Sequence, residues 1–232
     1  MGLFDTLVKG MSDFVNVLYM FTNSIGIPNY GLAIILLTVI IKMVLYPLTK
    51  KQMLSMRSMQ QLQPKIKELQ SKYKDKDKQV LQQKTMELYK EHNINPMAGC
   101  LPLIIQMPIL IALYRALYKF DFINLAHASF LWVPNLKHPD PYVLPLIAGV
   151  ATFLQSKLTT TTADPTQRIM LYTMPAFIAW ISHTMPAGLA LYWVVFNVVG
   201  AIQQYYINKH DVGLKEGVVE IEIHRKDRKN GR

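Results

Sequence analysis

Apolar residues in this 232-residue chain gather in long blocks, and charged residues fill the segments between them. Tyr30 to Leu48 carries a single charge, Lys42, in nineteen residues, and Ala187 to Asn208 carries none in twenty-two. A helix rises about 1.5 Å per residue and a hydrocarbon core is about 30 Å thick, so both blocks are long enough to span a bilayer. Three weaker blocks lie between them, Met97 to Tyr118, Tyr142 to Ser156 and Ile169 to Ile181. The pattern predicts an all-α polytopic membrane protein with five transmembrane helices over 30–49, 97–118, 142–157, 168–184 and 187–208. Loops 119–141 and 158–167 would connect them, and 209–232 would form a basic tail.

The polar segments have their own periodicity. Within 1–29, Leu3, Leu7, Met11, Phe14 and Leu18 recur at helical spacing opposite Asp5, Lys9, Asp13 and Asn16. That describes an amphipathic helix on the membrane surface or a short helix packed on a core. A cleavable signal is not expected, since the start lacks a basic region and a continuous apolar stretch. The "MGLFDT" start matches a myristoylation pattern, which an outward-facing terminus would not use. In 50–95, Leu62, Ile66, Leu69 and Tyr73 form one apolar stripe on a charged helix, with Pro64 expected in or near a first turn. "KDKDK" at Lys74 to Lys78 then turns the chain into a second helix from about Gln79 to His92. The segment reads as a helical hairpin, or else as a solvated loop. Prolines 96, 102 and 108 predict a broken entry into the second span, and Trp132 and Tyr142 are placed as interfacial aromatics. The third and fourth blocks, at about 22 and 20 Å, fall short of the core thickness. Either the bilayer thins beside them or the helices outrun the blocks, and Pro145 and Pro175 are candidates for bends.

Charge orients this arrangement. Of a net +10, eleven Lys or Arg against five acids fall between Lys50 and Glu91, and seven basic residues between Lys209 and Arg232. The first 29 residues carry one, Lys9, and Phe120 to Pro141 carries one, Lys137. The positive-inside bias puts the hairpin and tail in the cytoplasm and the N-terminus outside, with Arg115 and Lys119 running against the trend. A single cysteine, Cys100, allows no internal disulfide, and six scattered histidines lack ligand spacing, so no metal or other cofactor is expected. No phosphate-binding loop, nucleophile elbow or paired-carboxylate site occurs, and no acid falls within a span. The chain does not read as an enzyme.

Polar residues inside the spans are unevenly placed. Thr38, Lys42, Tyr46 and Thr49 share a face of the first, as do Thr152, Gln155, Ser156 and Thr159 of the third. Asn197, Gly200 and Gln204 do so on the fifth, one turn after Trp193, and Gln106 lies early in the second. With the orientation above, most fall in the cytoplasmic half and imply a water-accessible cavity open on that side only. Lys42 is the costly member, at about 2.5 to 3.5 kcal/mol near a bilayer centre. Snorkelling to the interface would relieve it but would leave the polar groups on the other helices unexplained. A one-sided cavity suits a protein that accepts a polar peptide segment from the cytoplasm. The competing readings are a solute transporter or channel, and a passive ribosome tether.

The segments "TVIIKMVLYPLT", "LQPKIKEL", "NPMAGCLPLIIQMPILIALY", "DPYVLPLIAGV" and "GLALYWVVFNVVGAIQQ" resemble the YidC-type membrane protein insertases, related to the mitochondrial oxidase-assembly and chloroplast Albino proteins. The resemblance runs from about Tyr30 to Asn208. It implies five core spans, a cytoplasmic hairpin needed for activity, and a hydrophilic groove open to the cytoplasm and inner leaflet of a bacterial cytoplasmic membrane. It further implies insertion or chaperoning of small or single-span nascent membrane proteins, alone or beside the Sec translocon, without ATP hydrolysis. By position Lys42 is similar to the family's groove cation, Thr38 to the polar residue one turn earlier, and Trp193 to the aromatic lining the substrate path. The groove cation is usually arginine, and lysine lacks its planar fork. The tail "HRKDRKNGR" resembles extensions that meet ribosomes, where rRNA phosphates need only cationic density, although positive-inside charge alone would also account for it.

Overall fold

The structure, a computed structural model, describes residues 2–73, 78–92, 101–118, 120, 122–159 and 165–230. Several sequence features lie outside the described residues: the turn at 74–77, the stretch 93–100 with Pro96 and Cys100, Lys119, residues 160–164 and the last two residues. Among the described residues there are eight α-helices and no strand: α1 (Leu3–Ser24), α2 (Tyr30–Val44), α3 (Tyr46–Lys72), α4 (Lys78–Glu91), α5 (Leu101–Tyr118), α6 (Val143–Thr159), α7 (Pro165–Ser182) and α8 (Ala187–Asn230). By length and apolar composition alone, Ala187–Lys209 of α8 is long enough to cross a membrane, and α2 with α3 counts as a second span if the bent pair is taken together. Ile104–Tyr118 and Val143–Thr159 are shorter apolar helices.

Local chemistry sets the helix ends. The Asn29 side chain accepts the Leu32 amide at 3.2 Å and caps α2. Gly26, at φ 82°, supplies the left-handed residue that ends α1 and turns the chain into α2. α2 stops at Val44, earlier than the apolar pattern indicates, and α3 departs at 64° from it. Pro47, near the start of α3, has no amide and its ring would crowd the Met43 carbonyl, so the break falls at Leu45. The stretch 30–49, expected as one span, is therefore two helices, and the helix expected to follow it begins at Tyr46. Pro64 lies well inside α3, not in a first turn. The missing hydrogen bond is tolerated where Leu62 and Ile66 on either side are buried. α6 and α7 run to 17 and 18 residues, about 26 and 27 Å, so the helices outrun the apolar blocks and much of the expected mismatch disappears. Pro145 sits in the first turn of α6, where it interrupts nothing, whereas Pro175 is interior to α7.

α8 is the central element and packs on α2, α5 and α6, with α7 outside α6 and α1 across α2 and α5. Small residues bring the backbones together where these helices cross. A Cβ on Gly188 would stand 3.1 Å from Ile34 and 3.2 Å from Leu117, and one on Gly149 3.0 Å from Ala179. The apolar core lies at the end of the bundle where α2 and α8 begin, and gathers Val15, Leu18 and Tyr19 of α1, Tyr30, Ile34 and Leu37 of α2, and Leu189 to Tyr192 of α8. The C-terminal half of α1 thus packs on a core, while Leu7 and Phe14, expected on its apolar stripe, are exposed. Tyr19 stacks on Tyr30 with centroids 4.0 Å apart, and the Tyr30 hydroxyl accepts the Ile123 amide.

The segment 120–142 closes this end. Ala187 and Gly188 donate their amides to the His138 and Leu136 carbonyls, both at 2.9 Å. Asp140 caps α6 by accepting the Tyr142 and Val143 amides, and its other oxygen takes the Trp132 indole N–H at 2.6 Å. Phe130 lies so close to Gly31 that any Cβ there would fall 2.2 Å from its ring. At the far side of the molecule α3 packs along α4, with Leu62 and Ile66 buried and Leu69 and Tyr73 half-buried, and Lys65 donates to His92 at 3.1 Å.

Candidate functional site

Beyond the apolar core, the interior of the bundle turns polar. Thr38, Lys42, Gln106, Thr152, Asn197, Gln203 and Gln204 are all buried, on four helices. Because α2 and α8 run the same way, Ile34 meets Gly188 and, about two turns on along α2 and three along α8, Lys42 meets Gly200. The polar positions of the two helices therefore fall at matching depth.

Lys42 is 5% exposed. Its ammonium stands 3.4 Å from the centroid of the Phe196 ring, and a Cβ on Gly200 would lie 3.0 Å from its Nζ and 3.2 Å from Gln155 Nε2. Gln203 donates to the Lys42 carbonyl at 3.2 Å and ties the end of α2 to α8. Among the described residues no carboxylate pairs with this ammonium. The acceptor oxygens of Gln155 and Gln203 are buried without a protein partner, so the surroundings hold spare hydrogen-bonding capacity.

Two further contacts brace the site. The Thr152 hydroxyl donates to the Ala148 carbonyl and receives the Trp193 indole N–H at 3.0 Å and the Asn197 amide at 3.4 Å, joining α6 to α8. Gln106 donates to the Tyr192 hydroxyl at 2.9 Å and joins α5 to α8. A separate cavity of about 170 Å³ opens between α3, α6 and α8, lined among others by Met53, Arg57, Gln60, Gln204 and Asn208. Gln60 closes one side by donating to the Thr159 carbonyl.

Of the residues singled out from sequence, Lys42 and Gln155 converge on Gly200, Trp193 and Asn197 converge on Thr152, and Gln204 lines the cavity. Thr38 is buried beside them, but its hydroxyl is taken by the Ile34 carbonyl one turn back at 2.7 Å. Tyr46 follows the break at Leu45 and begins α3. Gln203, Tyr192 and Phe196 were missed. Gln203 and Phe196 sit at Gly200 plus three and minus four, so the helical period was the available signal.

The sequence profile of a family described as "60Kd inner membrane protein" matches residues 20–214. The chain is 43% identical over 198 residues to membrane protein insertase YidC 1 of Halalkalibacterium halodurans, covering 84% of this chain and 76% of that protein. The chain belongs to the YidC family of membrane protein insertases. YidC of Geotalea daltonii is 44% identical over 210 residues and that of Geobacter sulfurreducens 45% over 211, each covering 90% of this chain. The chain spans only 38% of the length of those two YidC proteins. Its fold matches a crystal structure titled as an active YidC insertase with the first transmembrane domain resolved, with a TM-score of 0.70 and 29% identity over 89% of this chain and 47% of that one.

Proposed function

We propose that this chain is a membrane protein insertase and chaperone of the bacterial cytoplasmic membrane, taking small or single-span proteins from the cytoplasm into the bilayer. The observation that carries the reading is Lys42, a buried cation facing an aromatic ring and spare acceptors with no carboxylate among the described residues to neutralise it. Such a group costs free energy in the resting protein and is offset by whatever anionic or polar segment enters.

In this reading the bundle spans the membrane five times with its N-terminus outside and its basic tail inside. The apolar core, sealed by the 120–142 segment, is the outer end, and the polar interior is a groove open to the cytoplasm and inner leaflet. The nascent chain meets the hairpin α3–α4, and its polar segment enters beside Lys42. Its apolar segment leaves along α2 and α8 past Trp193 into lipid. The hairpin and tail would meet the ribosome, and the Sec translocon is the partner for larger clients.

Reconstitution into liposomes tests this. A small single-span substrate should acquire a protease-protected segment only where the protein is present. Protection equal to that in protein-free liposomes overturns the reading, and substrate-independent solute flux would point instead to a transporter or channel.

A further inference from the structure

Phe196 is not a residue that polarity or charge would single out, yet it is the side chain that faces the buried ammonium. Its ring packs on the preceding turn of α8: Tyr192 lies 5.8 Å away and is fixed by Gln106, and Trp193 lies 6.4 Å away and is fixed by Thr152. Gly200, one turn on, leaves the space that the ammonium occupies. Gln203 holds the Lys42 backbone in register with that space. Three residues on one helix thus set a π face, a gap and an anchor around a single cation. The arrangement places the cation on a ring face, the geometry in which the ring quadrupole attracts it.

We propose that Phe196 is a positioning residue for Lys42: its ring is the resting partner of the ammonium, and an arriving carboxylate must displace it. This rests on the insertase reading and deepens it, since the strength of the resting contact then sets how strongly acidic segments are preferred. A carboxylate attracts the ammonium more strongly than a ring quadrupole in the same low-polarity setting, so exchange is downhill for an acidic segment. A neutral segment has no charge with which to displace the ring and is not favoured in this way. The ring also keeps the ammonium from drawing water deep into the bundle between clients.

Two measurements test it. In nanodiscs containing the full chain labelled with 13C-lysine, the Lys42 side-chain resonance, assigned by its loss in Lys42→Met, should lie upfield of the other lysines through the ring current. Phe196→Leu and Phe196→Met should each return it to the ordinary position, while Phe196→Tyr should keep it shifted. A Lys42 resonance among the other lysines, or one unmoved by Phe196→Leu, overturns the proposal whether or not the protein inserts anything. In liposomes, two substrates differing only in acidic or neutral residues of the N-terminal segment are compared. Removal of the competing ring by Phe196→Leu should raise the acidic-to-neutral insertion ratio by about three- to thirtyfold. Phe196→Tyr should leave the ratio at the wild-type value, and the rise should vanish on a Lys42→Met background. Equal changes for both substrates would reduce Phe196 to a packing residue and overturn the proposal. Wild-type failure on both substrates would sink the insertase reading and leave the resonance to decide on Phe196.

Discussion

At the scale of single residues, the interior polar groups divide into those that are satisfied and those that are not. Thr38, Thr152 and Gln106 have partners, and their role is to fix helices. Gln106→Leu strands the Tyr192 hydroxyl and should lower stability by about 1 kcal/mol, whereas the pair Gln106→Leu with Tyr192→Phe should lose less than the two single changes summed. Thermal unfolding of the four proteins in detergent checks this, and strict additivity would count against a direct bond. Lys42 belongs to the other class. Lys42→Ala is expected to impair insertion of a single-span substrate and Lys42→Arg to preserve it; an alanine variant as active as wild type would leave the ammonium as a snorkelling bystander. Lys42 was legible in the sequence because a charge in an apolar block is conspicuous. Phe196 was not, since a phenylalanine in an apolar helix carries no mark until the cation is placed against its face.

At the scale of elements, the periodic signals identified most helices, and proline decided where they parted from expectation. Counting apolar residues runs the first span through Pro47, because proline is apolar enough not to interrupt the count. Sterically, Pro47 ends α2 and sends α3 off at 64°. Pro64 shows the converse, since a proline in a long helix is tolerated where its neighbours are buried, and burial is a tertiary fact. Restoring the amide with Pro47→Ala should relax the bend. With α3 reaching about 20 Å from the break to Ser58, straightening by about 30° would carry that residue about 10 Å. Spin labels at Ser58 and Val198 would report the change as a longer distance; an unchanged distribution would mean that packing, not Pro47, sets the angle.

At the scale of the whole molecule, apolar and polar interiors occupy opposite ends, and the apolar end is tied by the 120–142 segment. Burial opposes ionisation of Asp140, but the Tyr142 and Val143 amides and the Trp132 indole outweigh it and hold its carboxyl below the usual aspartate value. A carboxyl with a lowered folded pKa contributes stability above its unfolded pKa and loses it as pH falls through the folded value. Asp140→Asn should therefore melt lower than wild type near neutrality, and the gap should close as pH drops below about 4. A gap constant across that range would show that the hydrogen bonds do not depend on the charge. The position of this loop was legible in the sequence, but its bonding was not, because Asp140 and Trp132 are there merely a polar and an aromatic residue between apolar blocks.

The ties at one end have a mechanical consequence. With the Ala187 and Gly188 amides fastened to the loop carbonyls and Phe130 seated on Gly31, α2 and α8 are clamped where they begin. Gln204 lies about 24 Å along α8 from Gly188. The bundle is then a lever clamped at one end, and a tilt of about 5° at the clamp moves the far end, where Gln203 bonds the Lys42 carbonyl, through about 2 Å. In the proposed insertase, the polar end can open in this way while the apolar end stays shut.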